Sequence, residues 1–340
     1  MRRRLIQLGL CAVIAISTGA AATSFAQTPL PAEPQYSKPL GIAMQEFPYP
    51  FPVSFLPLEI EGQPARMAYM DVGPRTGKTV LLMHGKNFYG SYWEGTIRAL
   101  NAEGYRVVVP DQIGFGKSSK PDINYSFDLL AANTTKLLDS LQITRVAVVG
   151  HSMGGMLAVR FARSHPERTT HLILENPIGL EDYRFKVPPS TTQAQYETEF
   201  KNIDSVKHRA FLKSYFVQWK PEYESFVEVR TRVTLSGEYP RWAKAAALTY
   251  QMIYQQPVRH EFGLIKAPTL LVIGQADRTT IGRGLVSEDV LKTLGQYPAL
   301  GKAAARDIPN SKLVELPNVG HIPHLEAPTQ FHQALLDFLK

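Results

Sequence analysis

Short runs of continuous apolar residues alternate with helix-patterned segments along most of this chain, and few architectures accept that pattern. Thr79 to Met83, Val107-Val108-Val109, Val146 to Val149, Leu172-Ile173-Leu174, Thr269 to Ile273 and Lys312 to Leu316 read as strands. Between and after them, Tyr92 to Leu100, Phe127 to Leu141, Met153 to Arg163 and Phe331 to Leu339 carry apolar residues at helical spacing. Strands without polar alternation are covered on both faces, and strands joined through helices run parallel. The expected class is α/β: a mostly parallel central sheet with helices on both faces. Arg66 to Asp71 reads as an early antiparallel strand.

The alternation breaks near Asn176-Pro177 and resumes after about Phe262. The intervening chain is polar, aromatic and helix-like. The simplest organisation is a core in two parts, 53–176 and 263–340, interrupted by a helical cap at 177–262 that lies over the active site. A chain of 340 residues, 44% hydrophobic, has material for both. Segment 27–52 is rich in proline. Its run Phe47-Pro48-Tyr49-Pro50-Phe51-Pro52 predicts an extended strap whose aromatic rings pack along the domain.

The first 26 residues have the layout of a secretory signal. Arg2, Arg3 and Arg4 precede an apolar stretch from Leu5 to Ile16, and Ser24-Phe25-Ala26 offers small residues at a cleavage site. The apolar stretch is short for a membrane anchor, which needs about 20 residues, so a secreted or periplasmic mature chain without a stable membrane anchor is expected. Cys11, the one cysteine, falls in this segment. The mature chain would then contain no disulfide, thiol nucleophile or thiolate metal site. Taking the three signal arginines from the net charge of +7 leaves +4, spread without a basic cluster, so nucleic acid is not an expected partner. No histidine or carboxylate spacing suggests a metal, and no glycine pattern suggests a dinucleotide. No cofactor is expected.

Val149-Gly150-His151-Ser152-Met153-Gly154-Gly155 contains G-x-S-x-G between a predicted strand and a predicted helix. That context matters, because a tight strand-to-helix turn exposes the serine hydroxyl and aims helix N–H groups at developing negative charge. Ser152 is therefore the candidate nucleophile. It needs a base. His321, between the last strand and the last helix, is the candidate, and His324 is its local rival. Asp277, just past the strand ending at Ile273, is the candidate acid that orients the base. Glu175 is the alternative, with a plain surface carboxylate as the reading of Glu175 or Asp182 that involves no chemistry. The backbone N–H groups of Met153 and Lys86 are candidate oxyanion donors. The Lys86 side chain either projects to solvent, the simpler expectation, or biases the pocket toward acidic substrates. Asn87, Phe88, Trp242 and Tyr254 are candidates for the substrate pocket, with Met252 and Ile253 beside the last.

These segments resemble the α/β-hydrolase fold family in its cap-bearing branch. The resemblance rests on Leu81-Leu82-Met83-His84-Gly85, Asp111 to Ser118, Gly150 to Gly155, and Gly320 to Pro328. It covers the cap poorly. It implies the order Ser, Asp, His for the catalytic residues and a structural role for Asp111. Dehalogenases and epoxide hydrolases of the family carry a carboxylate where Ser152 stands, so the resemblance points to its serine hydrolases. The expected activity is cleavage of a small carboxylic ester through an acyl-enzyme. Lactone, amide or C–C bond cleavage by the same residues is the alternative. A non-catalytic binding protein on the same scaffold is the alternative of another kind.

Overall fold

The computed structural model describes residues 34–340. The signal segment, Cys11 and the first residues of the strap lie outside them. Eight strands form one sheet: β1 (Ser54–Ile60), β2 (Gln63–Val72), β3 (Thr79–Met83), β4 (Arg106–Pro110), β5 (Val146–His151), β6 (Thr169–Glu175), β7 (Thr269–Gly274) and β8 (Ser311–Leu316). Their spatial order is β1-β2-β4-β3-β5-β6-β7-β8. β1 and β2 pair antiparallel, β2 joins β4 antiparallel, and β3 through β8 run parallel. The predicted strand at 66–71 is the centre of β2, and β1 is an additional edge strand in front of it.

Helices α1 (Glu94–Ala102), α2 (Phe127–Ser140) and α3 (Met153–Ser164) connect the first parallel strands. The helices α4 (Thr192–Lys201), α5 (Ser205–Lys213), α6 (Glu224–Thr234) and α7 (Tyr239–Gln255) lie between β6 and β7. The chain closes with α8 (Glu288–Leu291), α9 (Tyr297–Asp307), α10 (Pro323–Glu326) and α11 (Pro328–Leu339). Alternate strand residues face opposite layers, as the pleat requires. Leu81, Met83, Val148, Leu172 and Leu271 pack with α2 and α3, while Val80, Leu82, Val149, Ile173 and Val272 pack with α1 and α11. This two-sided burial is why the strands are apolar throughout.

The proline-rich segment is tied down by specific contacts. Leu40, Ile42 and Met44 are buried with Val229, Val233, Tyr239 and Ala243 of α6 and α7. Buried Lys117 donates from Nζ to the carbonyls of Met44 (2.5 Å) and Phe47 (2.7 Å). Tyr49 donates to Asp111 Oδ2 at 2.6 Å. Asp111 also accepts the N–H groups of Gly90 and Lys117, and a Cβ on Gly116 would stand 2.2 Å from its carboxylate. Asp111 therefore organises its loop and the strap. Among the described residues, no helix is long and apolar enough to cross a membrane.

Candidate active site

Ser152 sits between the end of β5 and the start of α3, with φ +56° and ψ −122°. A non-glycine residue in this region is strained and persists only where its surroundings hold it. They do so here by close approach. A Cβ on Gly150 would come within 2.3 Å of the Gly154 carbonyl, and one on Gly154 within 2.2 Å of the Met83 carbonyl. Only glycine lets β3, β5 and α3 meet at these points.

His321 follows β8 and opens the turn into α10. Its Nε2 lies 2.9 Å from Ser152 Oγ, and its Nδ1 lies 2.7 Å from Asp277 Oδ2. Asp277 follows β7. It accepts the Thr279 N–H at 2.7 Å and Asn176 Nδ2 at 2.8 Å. Burial opposes the Asp277 charge, but His321 and the donors from Thr279 and Asn176 outweigh it and hold the carboxyl below its ordinary value. Its acceptor Oδ2 keeps the proton on His321 Nδ1, leaving the Nε2 lone pair facing the serine hydroxyl.

The two rivals from the sequence are paired with each other. Glu175 is fully buried at the end of β6 and accepts the His324 backbone N–H (2.7 Å) and His324 Nδ1 (2.9 Å). His324 stacks on Trp93 with ring centroids 4.1 Å apart. Glu175 is thus no surface carboxylate, and it turns away from His321. Asp182 is engaged by Arg184 and His260.

His151, the variable residue of the serine motif, braces the site from behind. Gly85 N–H donates to Tyr92 Oη (3.0 Å), Tyr92 donates to His151 Nδ1 (2.9 Å), and His151 Nε2 donates to the His321 carbonyl (2.8 Å). This chain requires a neutral imidazole with its proton on Nε2. Burial, and then the neighbouring His321 and His324, push the His151 pKa well below its ordinary value, which agrees. Sequence reasoning did not reach His151 or Tyr92.

Gly85 packs against Ser152, where an added Cβ would stand 3.0 Å from Ser152 Cβ. The Lys86 N–H has no acceptor among the described residues, and the Met153 N–H opens α3, where no helical carbonyl reaches it. Both candidate donors are free beside Ser152.

A cavity of about 340 Å³ opens on Ser152 and is closed over by residues of α4 to α7. Ile178, Phe211, Tyr215, Tyr250, Ile253 and Ile281 supply apolar lining. Asn87 lines it as expected and donates to Tyr215 Oη at 2.7 Å. Three other pocket expectations need correction. Phe88 is buried outside the cavity, stacked on Tyr92 at 5.0 Å. Tyr254 is buried with its hydroxyl on the Val187 carbonyl. Trp242 lies behind the wall, under the Arg230 guanidinium, 3.9 Å from its ring centroid. Met252 also packs in the core, away from the lining. The Lys86 side chain is corrected too: it lines the cavity rather than projecting to solvent. Burial lowers its pKa, and Arg230 adds to the effect against the attraction of Glu199. Glu199 and Arg230 also line the cavity. Nothing in the sequence marked them, because charged residues on polar helices read as solvent-facing.

The comparisons agree with this architecture. Residues 78–328 match the family model described as the alpha/beta hydrolase fold. Lipase 1 of Psychrobacter immobilis is 29% identical over 271 residues, which cover 77% of either chain. The 2-hydroxy-6-oxononadienedioate/2-hydroxy-6-oxononatrienedioate hydrolase of Paraburkholderia phymatum is 29% identical over 283 residues, 82% of this chain and 92% of the relative. A solved structure described as a "probable hydrolytic enzyme" from Pseudomonas aeruginosa PAO1 is 43% identical with a TM-score of 0.87, covering 89% of this chain and 99% of the other. With most of its length under one family pattern and its sheet shared with a relative of known structure, this chain belongs to the α/β hydrolase fold family.

Proposed function

We propose that this chain is an exported serine hydrolase that cleaves a carboxylic ester through an acyl-enzyme. The observation that carries the reading is the continuous hydrogen-bonded line Asp277–His321–Ser152, with spans of 2.7 and 2.9 Å, whose Ser152 end lines a mostly apolar cavity. His321 Nε2 takes the hydroxyl proton as Ser152 Oγ attacks the ester carbonyl. The Lys86 and Met153 N–H groups receive the oxyanion. Collapse expels the alcohol, protonated by His321, and leaves the acyl group on Ser152. A water molecule, deprotonated by His321, then releases the acid and restores the serine. Export rests on the arginine-led apolar segment at 1–26.

A panel of p-nitrophenyl esters of increasing acyl length tests the reaction, with Ser152→Ala as the control. Turnover abolished by the substitution, and a fluorophosphonate adduct on Ser152, are the expected results. Undiminished turnover by Ser152→Ala would remove Ser152 from the chemistry. Absence of an adduct on folded protein would favour the binding-protein alternative.

A further inference from the structure

Among the described residues, the buried cations are paired with carboxylates or backbone carbonyls. Arg106 pairs with Asp71, Arg160 with Asp128 and Glu261, and Arg209 with Glu224. Lys117 and Lys120 each donate to several backbone carbonyls. That is the ordinary condition of buried charge.

The cations that line the cavity over Ser152 are part-exposed or exposed, and they are unevenly paired. Four Lys or Arg side chains line it against one carboxylate, Glu199. Two of the cations are occupied: Lys207 by Asp204 and the Lys201 carbonyl, Arg283 by the Arg278 carbonyl. The other two are not. Arg230 gives Nη2 to Glu199, but its Nη1 is buried without a hydrogen-bond partner. Lys86 Nζ makes no hydrogen bond among the described residues.

Arg230 is also held in place. Its guanidinium lies on the Trp242 ring while Glu199 grips one edge. The plane of the guanidinium and one of its edges are thereby fixed. A guanidinium so fixed suits a carboxylate better than a carbonyl, because charge-assisted hydrogen bonds are the stronger kind. Lys86 and Arg230 outnumber Glu199 by one charge, so a single ligand anion balances the cluster.

Lys86 is both a lining cation and a candidate oxyanion donor to an ester carbonyl at Ser152, so the anion is assigned to the acyl part, which carries that carbonyl.

We propose that the cavity receives an ester whose acyl chain ends in a carboxylate, held by Lys86 Nζ and the Arg230 guanidinium while Ser152 attacks the ester carbonyl at the other end. The substrate class is the half-ester of a short dicarboxylic acid, and the products are the dicarboxylate and an alcohol. This proposal rests on the ester-hydrolase reading for its reaction, but its anion-binding part can be measured without turnover.

Calorimetric titration of Ser152→Ala protein with monomethyl glutarate, and with dimethyl glutarate as the uncharged counterpart, tests it. The half-ester should bind at least tenfold more tightly. Adding Arg230→Gln should cut that preference by tenfold or more, with circular dichroism establishing that the double variant is folded. Equal binding of the two esters, no binding of either at millimolar concentration, or a preference untouched by Arg230→Gln would overturn the proposal. In the parent enzyme, kcat/KM for p-nitrophenyl hydrogen glutarate should exceed that for p-nitrophenyl valerate by tenfold. Half-ester binding without hydrolysis of any ester would refute the reaction and leave the anion site standing. Hydrolysis of neutral esters without preference for the half-ester would refute the anion site and leave the reaction standing.

Discussion

The His321 carbonyl accepts a hydrogen bond from His151 Nε2 at 2.8 Å, so the residue preceding the candidate nucleophile holds the main chain of the candidate base. The distance between Ser152 and the His321 ring is therefore set from both sides of the sheet's end. His151→Leu removes this tie and the acceptor for Tyr92. A displacement of about 1 Å at a reacting group can cost on the order of 100-fold in rate. We expect kcat to fall about 10- to 100-fold with little change in KM. His151→Gln, which keeps a donor, should recover part of the loss. Steady-state kinetics on a p-nitrophenyl ester separates the two parameters.

Asp277→Asn frees the His321 ring to present the wrong nitrogen to Ser152. Loss of this acid in a serine triad costs on the order of 10⁴-fold in kcat. The same change at Glu175, which faces His324, should cost stability, about 1–3 kcal/mol for a disrupted buried charge-assisted pair, and less than tenfold in kcat. Parallel kinetics and urea unfolding of the two variants check the contrast. A kcat loss at Glu175→Gln equal to that at Asp277→Asn would assign the acid wrongly.

Gly154→Ala places a Cβ 2.2 Å from the Met83 carbonyl, a backbone atom of the central strand β3. No side chain can rotate away to relieve that clash. We expect a loss of about 1–3 kcal/mol, the usual cost of overpacking a tight core, together with a large fall in fluorophosphonate labelling of Ser152 as the turn opens. Denaturant midpoints and labelling rates measure both.

Lys117→Met leaves the Met44 and Phe47 carbonyls without their buried donor. We expect a stability loss of about 1–3 kcal/mol and ester turnover within twofold of the parent. Faster proteolysis between residues 36 and 52 should accompany it, because that contact anchors the segment to the core.

Stability should fall with acid before the carboxylates titrate. Burial lowers the pKa of His84 and pushes that of His151 well below the ordinary range. Burial, with Arg230 adding to it, brings His208 to about 4, and burial with His324 brings His332 to about 4. A histidine depressed in the fold is protonated first in the unfolded chain, so stability present above about pH 6.5 is lost as pH falls toward 4. The melting temperature should be level near pH 7–8 and drop by several degrees by pH 5. His208→Gln should flatten the slope. Thermal melts in buffers of constant ionic strength check this.

Much of the fold can be read from the sequence because its signals are local. The central parallel strands β3, β4, β5 and β7 are runs of about five mostly apolar residues, and burial on both faces leaves no place for polar alternation; the edge strand β8 is polar and part-exposed. The serine turn is also local: five residues between a strand and a helix define it, and the glycines that make it possible lie within that window. Asp277 and His321 could be named as candidates because each follows a legible strand.

Tertiary structure alone decided the pairings and the pocket. Two histidines and two carboxylates were open to either match. The fold joins His321 to Asp277, 44 residues apart, and His324 to Glu175, 149 residues apart. A choice of that kind depends on which strand ends lie side by side, and no short window of sequence encodes it. Phe88, Trp242 and Tyr254 are aromatic residues of the kind that line pockets, yet the loop after β3 buries Phe88, and the rotation of α7 turns the other two into packing. The packing of α4 and α6 brought Glu199 and Arg230, ordinary charges on polar helices, to line the cavity with Lys86. Local sequence specifies which elements form and where the reactive turn lies. The register and rotation of elements distant in sequence specify which side chains share a site, because that is settled by the packing of the whole core.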